Sequence, residues 1–449
     1  MRRRTTALRA VLATLTLLSV VTARQASPQG PKSQLPELYP FFVQRLSKGD
    51  YLGLLLSLRR DEAGYRADER TRGTFLELMS VINSQVGNYA EAHAYLDEFA
   101  RSQEPPAKDV DKAPFDGYEP RPAIEAIKAA ADSHQVVMIN EEHDTPMHRA
   151  FTTRLLPILY AKGFRYLAAE TLNERDADLQ RRGYPTHKSG FYTADPVYGD
   201  MIRAAIRLGF KVVAYEYVPR GCTNPPDNPD FCQDERERGQ AQNLYDRILK
   251  DDPKAKVLVH VGRGHNQEVN LGRWAMMGWH FREITKIDPF TIDQLQMSER
   301  SRPEFESPLY RYATRKWHIT EPTVFRSKEG KLWGRLGNDL VVFHPRARYE
   351  EGRPTWLLEG GMRAPRLIDF KRLRLPTRRG KFVGQGPVLV QAFVAGEDAD
   401  AIPADQIVLR PGEELPALVV PKLALSVRAV DEAGAVLGQY EARRRIAGR

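Results

Sequence analysis

An α/β fold, a mostly parallel sheet with helices on both faces, is predicted by three observations. Short apolar runs of strand length alternate with helix-length segments between about residues 120 and 350. Glycines stand at the ends of several of those helical segments, where a left-handed C-cap is expected. Right-handed crossovers leave few other ways to connect such repeated strand-helix-strand units. An N-terminal helical segment and a C-terminal β-sandwich-like module flank this domain.

The 449 residues suffice for two or three domains with cores of their own. Arg2, Arg3 and Arg4 precede an uncharged apolar run over 10–21 and then Val21-Thr22-Ala23, the pattern of a secretory signal peptide over 1–23. No other run approaches the ~20 apolar residues of a membrane span. Residues 24–34 are polar and expected to be disordered. A secreted or periplasmic protein is the expectation. Cys222 and Cys232 flank a Pro/Asn/Asp-rich loop that one disulfide would pin, two free thiols being the alternative. The formal charge of +9 includes arginines that leave with the signal, and no basic stripe with interleaved aromatics remains, so no nucleic-acid partner is expected.

Over 35–104 the pattern is helical. Phe75, Leu76, Met79, Ile82 and Val86 share one face, Gly87-Asn88 makes a turn, and YAEAHAYLDEF follows. The pair resembles one tetratricopeptide hairpin, and since a single unit cannot stack into a solenoid it reads as a helical cap or an appendage facing a protein partner. Strands are expected over 136–139, 166–169, 212–215 and 257–261, with 281–287 as a fifth and 339–344 as a last. Helices are expected over 146–162, 173–182, 196–208 and 234–250. From 380 to 449, short apolar runs broken by Gly, Pro and Asp read as the C-terminal β module.

Each of the first four strands ends in ionisable side chains: Glu141 and His143, then Glu170, then Glu216, then His260 and His265. In a parallel sheet these ends lie along one edge, where open α/β folds bind ligands. Buried carboxylates and imidazoles cost several kcal/mol unless paired, so four such endings in succession point to a site. Two imidazoles and two or three carboxylates suit a divalent metal such as zinc, manganese or cobalt, and equally a general acid/base pair acting on water. Gly262 and Gly264 around Arg263 allow the backbone a close approach to a ligand. Taken singly, Glu216 reads as a cap or salt-bridge residue and His260 as a satisfied core histidine. His148, in the first turn of the next helix, is expected to line the same cleft, and His187 and Tyr192 lie in a loop suited to substrate contacts. No G-x-S-x-G occurs, and Ser189 lacks a strand-to-helix setting, which disfavours covalent catalysis.

Asn140-Glu141-Glu142-His143 resembles the G-E-x-H motif of the erythromycin-esterase/ChaN-like superfamily and the G-x-x-H of the related TraB/TIKI proteins, with Asn140 in place of glycine. Gly262-Arg263-Gly264-His265 is similar to the paired G-x-x-H, and Glu170 in LAAET to the glutamate after that family's second strand. Arg236-Glu237 with Ala241 and Asn243 resembles its R-[DE]-x-x-M-A-x-N helix motif, with Gln240 for methionine. Over about 120–300 the resemblance implies a cleft built from Glu141, His143, Glu170 and His265, in a family that spans esterases, metal-dependent peptidases and a haem-binding lipoprotein. The leading expectation is a hydrolase of an ester or amide bond in a small molecule or peptide. Water would be activated by His143/Glu141 and His265/Glu170, with or without a divalent metal on those four residues. Arg236 would steady an anionic group on substrate or orient one of the carboxylates, and His148, Glu216 and His187 would contact substrate. The alternatives are a haem- or metal-binding protein using the same histidines, and an inactive relative acting through its flanking modules.

Overall fold

The computed structural model describes residues 35–101 and 107–442; the expected signal peptide and the polar stretch 24–34 lie outside them. Six strands form one parallel sheet: β1 (Val136–Glu141), β2 (Phe164–Ala169), β3 (Lys211–Ala214), β4 (Lys256–Gly262), β5 (Phe290–Asp293) and β6 (Leu340–Val341). Their spatial order is β3-β2-β4-β1-β5-β6. The chain first steps outward from β1 through β2 to β3, then returns to place β4 between β1 and β2 before β5 starts the other side. The ends of β1, β2 and β4 therefore meet where the winding reverses, the place where open parallel sheets bind ligands.

Side chains alternate across the pleat as a period of two requires. Val137 and Ile139 face one way, into a core shared with α6 (Ala123–Ser133), α7 (Pro146–Ala161) and α8 (Pro196–Leu208). Val136 and Met138 face the other way, against α9 (Phe231–Leu244) and α10 (Met277–Thr285). Both faces are covered, which is why the strands read as unbroken apolar runs. Helix α7 starts at Pro146, whose missing N–H costs nothing at a first turn, and α8 ends at Gly209 in the left-handed region.

The helices α1 (Leu38–Leu46), α2 (Tyr51–Arg60), α3 (Glu62–Ala67), α4 (Glu69–Gln85) and α5 (Tyr89–Arg101) do not stand apart as an appendage. Phe42, Leu54, Phe75 and Ile82 belong to the same core as Ile139 and Leu258. The Tyr51 hydroxyl donates to Ala194 O at 2.8 Å, and Ser80 donates to Asp144 beside β1. In the C-terminal region a four-stranded antiparallel sheet has the order Asp405–Leu409, Val388–Val394, Leu425–Val430, Val436–Ala442. One of its faces closes a separate core around Phe382, Val390, Leu418 and Val427, while Leu389 and Val408 join the main core.

The structure differs from the sequence expectation in two elements. Residues 281–287 form no strand: Phe281 and Met277 are one helical turn apart on the buried face of α10, Lys286 caps that helix in the left-handed region, and the strand is β5 instead. The helix expected over 173–182 shrinks to Leu179–Arg182. Asn173 accepts from Arg175 N through its own side chain, and its N–H donates to Ser189 O, which holds the first half of that segment in turns. The last strand, β6, pairs in parallel with β5 within the stretch 339–344.

Candidate active site

Glu141 is the last residue of β1 and points to the α7 side of the sheet. It is 2% exposed and accepts from Arg149 twice (Nε to Oε2 2.6 Å, Nη2 to Oε1 2.7 Å), from His260 Nε2 (2.8 Å) and from His143 Nδ1 (3.0 Å). Burial opposes its charge, but Arg149 and His260 hold it well below the ordinary carboxylate value. Register explains the meeting: Ile139 lies opposite His260 on β4, so Glu141, two residues on, shares that face. Arg149 also lies 3.3 Å from Asp195, the N-cap of α8.

His143 follows β1, and its Nδ1 bond to Glu141 leaves Nε2 as the basic nitrogen of the neutral ring. The ring stacks on Tyr192 with centroids 3.8 Å apart and planes 11° apart. Its other edge rests on Gly262, where a Cβ would lie 2.3 Å from Cε1. That close approach explains a glycine at this position independently of any turn.

Glu170 comes just after β2, its N–H donating to His260 O at 3.0 Å. Its carboxylate accepts from Gly262 N and from Arg236 Nη2 (3.2 Å). Burial works against its charge, yet His265, Arg236 and His143 keep its pKa below the ordinary value. His265 closes the group. Its Nδ1 lies 2.7 Å from Glu237 Oε1, its Nε2 accepts from Arg236 Nη1 at 3.1 Å in the neutral ring, and Glu170 Oε1 is 3.9 Å away. Burial depresses its pKa, but Glu237 and Glu170 outweigh that and raise it above the usual value. Protonation at Nε2 would replace the Arg236 bond by attraction to Glu170. Glu216 sits at the more open side, 3.1 Å from Arg236 and 2.8 Å from Gln240 Nε2.

The structure thus brings Glu141, His143, Glu170, Glu216, Arg236 and His265 into one cluster. It does not bring in His148 or His187. His148 Nδ1 accepts from Glu142 N at 3.0 Å and its Nε2 faces Ser298, beside His344; it serves the buried layer between α7 and β5. His187 packs its ring against Gly49 and Tyr51, in the loop after β2 and toward the N-terminal helices. Sequence reasoning missed Glu237 as the partner of His265 and Arg149 as the counter-charge of Glu141, while His260 is a buried histidine satisfied by Glu141, in line with its reading as a core residue. Glu237 was legible in part: it lies one turn before Gln240 and Ala241, the buried face of α9, within an otherwise charged run.

A metal fits these residues poorly. Among the described residues no three His, Cys, Asp or Glu side chains are arranged to hold one. The Arg236 guanidinium lies between Glu170, Glu216 and His265 Nε2, where a cation would have to be. The disulfide is present, Cys222 to Cys232, and closes the loop leading into α9. Among the described residues no helix is long and apolar enough to cross a membrane.

No family model matches the sequence, and no curated protein matches it. Solved structures show limited similarity. The type III effector HopBA1 shares 12% identity over 52% of this chain and 99% of its own, with a TM-score of 0.31. A structure described as bacterial protein toxins shares 10% identity over 50% of this chain and 47% of its own, with a TM-score of 0.29. RRSP, a MARTX toxin effector domain from Vibrio vulnificus, shares 13% identity over 50% of each chain, with a TM-score of 0.26. The chain spans about half the length of the latter two. At these scores the likeness says nothing about activity.

Proposed function

We propose that the protein is an exported hydrolase that cleaves an ester or amide bond with water activated by His143, without a metal. The observation that carries this is a pair of His/carboxylate couples, Glu141–His143 and Glu237–His265, held on neighbouring strand ends with Glu170 and Arg236 between them. Glu141 fixes the His143 tautomer with Nδ1–H inward, so Nε2 takes the proton of an attacking water. The hydroxide adds to the carbonyl carbon, and the developing oxyanion is met by Arg236 or by protonated His265. His143 then returns its proton to the departing alcohol or amine, leaving acid and leaving group as products. Arg236 supplies the positive charge that a metal would supply in a related site. A haem carrier is not favoured at His265, whose Nε2 lies against Arg236. The disulfide supports an oxidising compartment.

The test is a panel of p-nitrophenyl esters and peptide anilides, assayed with and without chelator. Turnover is expected to be chelator-insensitive and to fall by about 10²–10⁴ in His143→Ala, the usual range for loss of a general base. Full activity in His143→Ala or His265→Ala would discard the assignment.

A further inference from the structure

A cavity of about 170 Å³ opens where α5, the first turn of α7, the segment after β5 and Trp356 meet, and none of the cleft residues lines it. Its lining pairs aromatic surface with unspent hydrogen-bonding groups. Tyr89 and Trp356 meet edge to face with centroids 4.9 Å apart. Arg300, His93, Glu299, Ser301 and the Thr145 hydroxyl form the polar part of the wall. Among the described residues Arg300 makes no hydrogen bond and no ion pair, acting on Asp144 only through space.

The acids around Arg300 each hold another partner, with Asp97 Oδ1 and Asp144 Oδ1 left over. Asp97 Oδ2 accepts from Ser301 N (2.7 Å) and Ser301 Oγ (2.6 Å), Glu299 accepts from Ala347 N (3.1 Å), and Asp144 accepts from Ser80. Thr145 precedes α7 without making the side-chain cap its position allows. Burial and Arg300 hold His93 neutral at ordinary pH, with a pKa of about 4, so it adds no competing cation. A partly buried guanidinium facing a cavity is stabilised most by a carboxylate or phosphate brought in from outside. Size argues for a ring: an apolar cavity of ~150 Å³ already holds benzene.

We infer that this cavity is a second binding site, for a small ring-bearing carboxylate whose charge lies on Arg300 and Thr145 and whose ring lies against Tyr89 and Trp356. It is separate from the hydrolytic cleft, so His265→Ala leaves it intact.

Isothermal titration calorimetry of the whole protein with benzoate, benzamide and inorganic phosphate tests this. Saturable one-site binding of benzoate is expected, at least tenfold weaker for benzamide and for Arg300→Gln, and unchanged in His265→Ala. Phosphate is expected to bind more weakly than benzoate. Thr145→Val, a near-isosteric change, provides a second variant and is expected to weaken benzoate several-fold. The proposal is overturned by the absence of saturable benzoate binding, by equal affinity in folded Arg300→Gln or Thr145→Val, or by phosphate binding more tightly than benzoate.

Discussion

Glu141 meets two imidazoles and one guanidinium with a single carboxylate in a place water does not reach. Removing Arg149 leaves that charge uncompensated, so Arg149→Met is expected to cost about 3–5 kcal/mol in urea unfolding. At His265 the expectation concerns titration. Glu237 is the largest influence raising its pKa, so Glu237→Gln lowers it. If protonated His265 meets the oxyanion, the alkaline limb of kcat moves to lower pH in that variant, and an unmoved limb assigns the proton elsewhere. At Gly262 the backbone is not left-handed, and the constraint is space alone. Gly262→Ala would drive a methyl into the His143 ring, and the expected result is lost turnover with a modest change in thermal stability. His148 and His187 show the limit of reading single residues: both are histidines near the right segments, but the first turns under α7 and the second toward Tyr51, and side-chain direction is set by neighbours distant in sequence.

Helix α9 is the element on which the site's polarity depends, since it supplies Arg236, Glu237 and Gln240 from one buried face. Its start is tied by the Cys222–Cys232 bond, which closes a loop of sequence separation 10. Chain-entropy arguments assign a loop of this size about 2–3 kcal/mol. Cys222→Ser with Cys232→Ser is therefore expected to lower stability by up to that amount and to raise KM more than it lowers kcat. Steady-state kinetics on the double variant checks this. Among the other elements, strands flanked by glycine or turn residues were legible because period and punctuation agreed. The stretch 281–287 misled because a short apolar run has no period of its own; only Met277, a turn earlier and buried with Phe281, marks it as helix.

Across the whole molecule, four histidines shielded from water couple stability to acid. His148 is pushed well below its ordinary value, His93 and His187 to about 4 and His344 to about 3, burial being the main cause in each. Each stays neutral in the folded state while the unfolded chain takes up a proton below its ordinary value of 6.5. Stability from these sites is thus complete above that value and declines as pH falls toward the folded values, by about 1.4 kcal/mol per pH unit for each group. His344→Gln, which keeps a donor toward Gln294, is expected to shed one such increment from the slope below pH 6.5. Urea midpoints measured across that range give the answer, and an unchanged slope would show that His344 does not carry it. The N-terminal helices belong to this same cooperative unit, since Phe75 and Ile82 share a core with Leu258; their apolar face was visible in sequence, its partner was not.

Sequence alone determined the alternation of strands and helices, the sheet's burial on both faces, and the gathering of Glu141, Glu170 and His265 at one edge, because period, punctuation and parallel pairing are properties of neighbouring residues. Tertiary structure decided which carboxylate holds which imidazole. Strand order inserts β4 between β1 and β2, setting His260 beside Glu141, and the packing of α9 on the far face delivers Glu237 to His265 and Arg236 to the centre. Those pairings follow from distances across the fold, and chain spacing carries no record of them.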